Sequence, residues 1–267
     1  MSDLLAWSTD LHLNFVDEEA GRTFARAVNT ARPRAFVITG DTAESRSLAA
    51  CLGWLAEEID APVYFVLGNH DFYRDAIPPV RALAAGLSAT HPGLVYASAQ
   101  PAVALAPGVG LVGVDGWGDA RLGDALRSEV RLNDFRLIAE LQGLDHWGLI
   151  ARLKALGDAE AASLAPRLEA ALAEFTSVLV LTHVPPFAEA CWHEGAPSAP
   201  DWMPFFTCKA VGDVLLAAAA RHPDRRIRVL CGHTHSPGEV RLRDNLEVWT
   251  GGARYGHPAF QLLPVEF

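Results

Sequence analysis

The stretch Val63-Tyr64-Phe65-Val66-Leu67-Gly68-Asn69-His70-Asp71 decides the reading of this chain. Its first five residues are apolar, β-branched or aromatic, the composition of a buried strand. The run stops at a glycine, which lets the chain turn. An amide, an imidazole and a carboxylate follow in succession. Such a sequence ends a strand and presents polar groups at its tip.

Four other strand-like runs end in the same manner. Leu4 to Ser8 delivers Asp10 and His12. Ala35 to Ile38 delivers Gly40 and Asp41. Ser177 to Leu181 delivers Thr182 and His183. Arg225 to Leu230 delivers Gly232-His233-Thr234-His235. Helical patterns separate the first three runs: Asp17 to Pro33, with Phe24, Val28 and Ala31 on one face, and Ser45 to Ile59, with Leu48, Leu52 and Leu55. Strand-helix alternation predicts parallel βαβ units. Ligands bind at the carboxyl ends of such strands, so groups distant in sequence are expected at one edge.

The composition of that edge carries chemistry. Five of the ten histidines fall there, beside two aspartates and one amide oxygen, with no thiolate. This donor set suits manganese, iron, zinc or nickel, not a cysteine zinc site or an all-oxygen calcium site. Each piece alone is weak: a lone D-x-H arises by chance, and Gly-Asp is often only a turn. Six or more polar groups at buried strand ends, each with a desolvation cost, call for a common purpose.

D-x-H, G-D, G-N-H-D, a later T-H and a final G-H-T-H resemble the calcineurin-like metallophosphoesterases, from Asp10 to His235. The resemblance implies a four-layer α/β/β/α sandwich with two divalent transition-metal ions at its edge, manganese foremost. It implies that Asp10, His12 and His235 hold one ion, that Asn69, His183 and His233 hold the other, and that Asp41 bridges them. It implies that His70 is the catalytic histidine, oriented by Asp71. A metal-bridging hydroxide would then attack a phosphate ester. The alternative is a metal-bound scaffold without turnover, and the presence of His70 argues against it.

The 267 residues, half of them hydrophobic, fit a single large α/β domain spanning 1–267. The segment from about 120 to 175, rich in Leu, Ala and Glu, reads as a helical insertion or cap, with helices over Leu137–Leu156 and Ala159–Phe175. A formal charge of -10 disfavours a nucleic-acid binder, so the expected partner is a small phosphate ester. No uninterrupted apolar run approaches the roughly 18 residues of a membrane span, and no signal peptide is evident. Cys51, Cys191, Cys208 and Cys231 are scattered and read as reduced thiols of a cytoplasmic protein.

Other residues have plainer readings. Asn133 or Asp134 is expected to cap a helix. Asp115, Trp117 and Asp119 form either a packed turn or a substrate-facing loop. Arg127, Arg131 and Arg136 are expected to face solvent, as is the basic run Arg225-Arg226-Ile227-Arg228. Trp192 and His193 belong to a loop over Glu189–Phe206, and its Trp-rich part from Cys191 to Phe206, with the 120–175 segment, is where specificity is expected.

Overall fold

A computed structural model describes residues 3–267. The first half holds β1 (Leu4–Ser8), α1 (Glu18–Ala31), β2 (Ala35–Thr39), α2 (Ser45–Glu58), β3 (Val63–Val66), α3 (Ile77–Thr90), β4 (Leu94–Tyr96), β5 (Val103–Ala106) and β6 (Val109–Gly113). Then come α4 (Asp134–Leu137), α5 (His146–Glu174), β7 (Ser177–Leu181), β8 (Trp192–His193), β9 (Ala196–Pro197), α6 (Met203–Phe206), α7 (Lys209–Arg221) and β10 (Arg226–Cys231). The chain closes with β11 (Gly238–Arg243), β12 (Leu246–Thr250) and β13 (Gln261–Pro264).

These strands form two main sheets. One has the order β13-β1-β2-β3-β4, parallel except for β13. The other has the order β11-β12-β10-β7-β6-β5, parallel across β12, β10, β7 and β6. β12 pairs antiparallel with β11 but runs parallel to β10. The sheets pack face to face through Leu5, Trp7 and Val37 on one side and Leu111, Leu179, Leu181 and Leu230 on the other. α1, α2 and α3 bury Phe24, Val28, Leu48, Leu52 and Val80 on the outer face of the first sheet. α5 and α7 bury Leu164, Leu168, Leu172 and Leu215 on the outer face of the second. The result is the expected four-layer α/β/β/α sandwich.

Local chemistry explains the boundaries. Asp17 caps α1 by accepting from the Ala20 amide at 2.8 Å, and Glu18 and Glu19 occupy the first turn, where the helix dipole favours them. The prolines at 78 and 79 do not delay α3; it starts at Ile77, because a first turn needs no N–H from them. The two helices expected between Leu137 and Phe175 are a single 29-residue helix preceded by short turns. Gly157 lies inside it: a Cβ there would meet the Asp119 Cβ at 2.5 Å, so the glycine serves close packing and breaks nothing. The segment 120–145 is irregular and docks on other loops, with the Ala120 amide donating to the Pro204 carbonyl at 2.8 Å and Ser128 Oγ to the Asp201 carbonyl at 2.7 Å.

One open sequence reading is resolved and another changes. Asp115, Trp117 and Asp119 are buried in a packed turn: Asp115 accepts from Arg81, Tyr96, Ser98 and the Leu67 amide, and Trp117 lies 5.0 Å from the Phe72 ring. Arg228 is not solvated; it is buried between the Trp249 and Phe267 rings and paired with Glu247.

Leu168 is fully buried between α5 and the second sheet. Leu168→Ala is expected to cost about 2–5 kcal/mol in urea denaturation. Leu144→Ala, at an exposed position, is expected to cost under about 0.5 kcal/mol. Equal losses would mean that α5 is not part of the core.

Candidate metal centre

All five strand ends converge. Asp10 and His12 follow β1, Asp41 follows β2, Asn69 and His70 follow β3, His183 follows β7, and His233 and His235 follow β10. The tips come from both sheets, so the site spans the sandwich at one edge. The crowding is visible at Gly68, where a Cβ would stand 2.2 Å from Asp41 Oδ1. Gly68 has no positive φ, so the sequence reading is corrected: this glycine provides space for the neighbouring strand end, not a sharp turn. The backbone is strained instead at Asp10, His12, Asp41, His233 and His235, all with φ between 43° and 68°.

The donor atoms fall into two groups around Asp41. Asp10 Oδ1 lies 3.2 Å from His235 Nε2, which lies 3.3 Å from His12 Nε2. His12 Nε2 is 3.8 Å from Asp41 Oδ2. On the other side, Asn69 Oδ1 is 3.0 Å from both His183 Nε2 and His233 Nδ1, and His183 Nε2 is 3.4 Å from Asp41 Oδ1. Three triads in this set, Asp10-His12-His235, His12-Asp41-His70 and Asp10-Asp41-His183, each have ligand atoms within 4.8 Å of one another.

The remaining atoms of these side chains fix which donors face inward. His183 Nδ1 is 2.8 Å from the Thr39 carbonyl, so that nitrogen carries the proton and donates, and Nε2 points into the site. His233 Nε2 is 3.2 Å from the Phe205 carbonyl, which likewise turns Nδ1 inward. Asp10 Oδ1 is buried and has no hydrogen-bond partner, with His235 Nε2 standing 3.2 Å away. A buried carboxylate oxygen without a donor, facing imidazole nitrogens, fits a cation.

Protonation follows from burial and charge. Burial pushes His12 down to about 4 and His233 down to about 3, leaving their lone pairs free at neutral pH. Burial also opposes a charge on His183, but Asp41 beside it wins and raises it to about 10. Asp41 is correspondingly held well below the usual carboxylate range, its own burial being outweighed by the charges of His183 and His70.

His70 is partly exposed, stacks on Tyr73 at 4.2 Å between ring centroids, and holds Nε2 3.9 Å from Asp41 Oδ2. The expected support from Asp71 is absent. Asp71 Oδ1 accepts from the Ala43 amide at 2.9 Å and Oδ2 from the Gly68 amide at 2.8 Å. Asp71 is fully buried and ties two strand ends together; it is a structural residue that does not touch the His70 ring. The ring is oriented by Tyr73, and its backbone amide donates to Asp41 Oδ1 at 2.8 Å.

Two positions beside the site escaped the sequence reading. Asp134, read as a helix cap, is buried, and its Oδ1 accepts from Asn69 Nδ2 at 2.9 Å and Tyr73 Oη at 2.6 Å. This contact sets the Asn69 amide so that its oxygen faces His183 and His233. Tyr255 stacks on His12 at 4.3 Å while 46% exposed, forming one wall of the site. Arg127, Arg131 and Arg136 pair locally and do not reach the site, as expected.

Asp134→Ala is expected to weaken metal affinity by about 10–100-fold without unfolding the chain, because Asn69 loses its orienting partner. Competition with a metal-chelating dye measures this; an unchanged affinity would remove Asp134 from the site.

The sequence matches the family model of the calcineurin-like phosphoesterases over residues 5–237. Among solved structures, a phosphopantetheinyl hydrolase from Mycobacterium tuberculosis superposes with a TM-score of 0.63 at 17% identity, covering 94% of this chain and 89% of that one. A dimetal phosphatase from Danio rerio gives a TM-score of 0.58 at 15% identity, covering 97% and 91%. A 5'-nucleotidase from Candida albicans gives 0.52 at 12% identity, covering 95% of this chain and 46% of that one. No curated protein matches the sequence. At these identities the structural likeness speaks for the fold. The family model, spanning the strand ends from Asp10 to His235, goes further: the chain belongs to the calcineurin-like phosphoesterase family.

Proposed function

We propose that the chain is a phosphohydrolase that works with two divalent cations. Asp10, His12 and His235 would hold one, Asn69, His183 and His233 the other, with Asp41 shared. The observation that carries this reading is the placement of Asp41, one oxygen toward each donor group. Nitrogen and oxygen donors without sulfur suit manganese, iron, zinc or nickel; manganese is our first candidate on the family resemblance alone. Bound there, such ions supply Lewis-acid polarisation of a phosphoryl group and activation of water for in-line attack.

The chain's own residues do the rest. Two carboxylates against two divalent charges leave the site positive and attract an anionic phosphate despite the net charge of -10. His70 stands at the exposed side of the site, where it donates a proton to the leaving oxygen; its stacking on Tyr73 holds the ring in place. The substrate is a small phosphate ester, mono- or diester. The names of the structural neighbours, a phosphopantetheinyl hydrolase and a dimetal phosphatase, support a phosphohydrolase. The net charge disfavours nucleic acid as the partner, and no described helix is long and apolar enough to cross a membrane. The four cysteines are free, three of them buried, which suits the reducing cytoplasm, where we place the protein. We also read residues 1–267 as one domain, in which the insertion of about 120–175 contributes its irregular first part as a cap.

Hydrolysis of mono- and diester substrates by the Mn-loaded protein tests the proposal. His70→Ala is expected to keep its metal and lose about 10²–10⁴-fold in kcat. An unchanged rate would remove His70 from the chemistry. Two bound ions with no turnover of any ester would favour the scaffold reading.

A further inference from the structure

A cavity of about 450 Å³ opens beside the site, within the size range of small-ligand pockets. Its walls are Trp192, His193, Ser198, Ala199, Trp202, Phe206 and Thr234. No acidic, lysine or arginine side chain lines it. It is joined to the metal centre at two points. The Phe206 ring lies 4.3 Å from the His233 ring, and Thr234 sits in sequence between the two histidines. The helix α6 that carries Phe206 also supplies the Phe205 carbonyl that orients His233. Cavity wall and metal ligand are therefore set by one element.

The walls are aromatic and prearranged. Trp202 packs edge-on to Phe206 at 5.6 Å yet remains 44% exposed, leaving apolar ring surface uncovered at the rim. Trp192 rests directly on Gly238, where a Cβ would stand 2.3 Å from the indole. The β8–β9 hairpin fixes that strand, with Trp192 opposite Pro197. Two indoles, a phenyl and an imidazole around an uncharged space recognise a flat, uncharged aromatic group through stacking.

We propose that this cavity binds the organic part of the substrate, and that this part is a planar aromatic group close to the phosphate. The inference rests on the phosphohydrolase reading and narrows its substrate class. The basic side chains that an anionic tail would need are missing from the walls, and a short hydrophilic alcohol would leave the ring surfaces wet.

The test compares 2-naphthylmethyl phosphate with methyl phosphate, each as monoester and as methyl diester, on the Mn-loaded protein. Both leaving groups are primary alcohols, so a difference in KM reports binding more than intrinsic reactivity. The naphthylmethyl esters are expected to show a KM at least about tenfold lower, the equivalent of one stacking contact. Trp202→Ala is expected to erase that advantage, bringing the naphthylmethyl and methyl KM values together. Gly238→Ala, which drives Trp192 into the cavity, is expected to raise the naphthylmethyl KM alone. Titration calorimetry with 2-naphthylmethanol gives a readout independent of turnover: wild type is expected to bind it and Trp202→Ala at least about tenfold more weakly. Equal KM values for the two esters in wild type, or equal naphthylmethanol binding by wild type and Trp202→Ala, would overturn the proposal. Naphthylmethanol binding that depends on Trp202, with no ester hydrolysed, would uphold the aromatic subsite and refute the phosphohydrolase reading.

Discussion

Asp41 is a fully buried carboxylate whose two oxygens face different sets of donors. Burying an ionised carboxylate is costly unless charge and hydrogen bonds compensate it. Here the compensation within the chain is incomplete: the His70 amide at 2.8 Å and the His183 imidazole at 3.4 Å face one oxygen, while the other has only imidazoles at 3.8–3.9 Å. Asp10, equally buried, leaves one oxygen without any hydrogen bond. Two such carboxylates 31 positions apart in sequence would repel in a dry interior. In the function proposed above, divalent cations supply the counter-charge, and the arrangement of the sandwich edge serves to hold them.

That requirement explains where the chain accepts strain. Nine non-glycine residues have positive φ among the described residues, and five of them are Asp10, His12, Asp41, His233 and His235. Each costs about 1–2 kcal/mol relative to an ordinary conformation, somewhat less for Asp and His, which tolerate this region best. The conformation turns side chains inward at the end of an extended strand without a longer loop. The two sheets and their covering helices supply the rigidity that keeps these turns from relaxing. The same logic accounts for the glycines at the strand tips: the backbones approach so closely that a single extra carbon at Gly68 would overlap Asp41.

Much of this was legible in the sequence because buried strands and their polar ends are local signals. The five strand ends, their parallel pairing and their meeting at one edge follow from apolar runs punctuated by Gly, Asp, Asn and His. What the sequence hides is orientation. Asp71 stands next to His70 yet its oxygens turn to the amides of Ala43 and Gly68, because a buried carboxylate takes the donors that the strand ends offer. Asp134 lies 65 residues from Asn69 and reaches it only through the packing of the irregular segment ahead of α5. Gly157 resembles a helix break because its packing partner, Asp119, is remote in sequence. Trp202 and Phe206 look like loop aromatics until α6 places the Phe206 ring against His233 and Trp202 against Phe206. Local pattern thus gives the donors; tertiary packing decides which neighbours orient them.

The central claim is that Asp41 joins two cations into one centre. Electron paramagnetic resonance of the protein loaded with two equivalents of manganese tests it most directly. The account predicts the spectrum of an exchange-coupled pair, replaced in Asp41→Asn by weaker loading and the signal of isolated ions. An isolated-ion spectrum from the fully loaded wild type would contradict it.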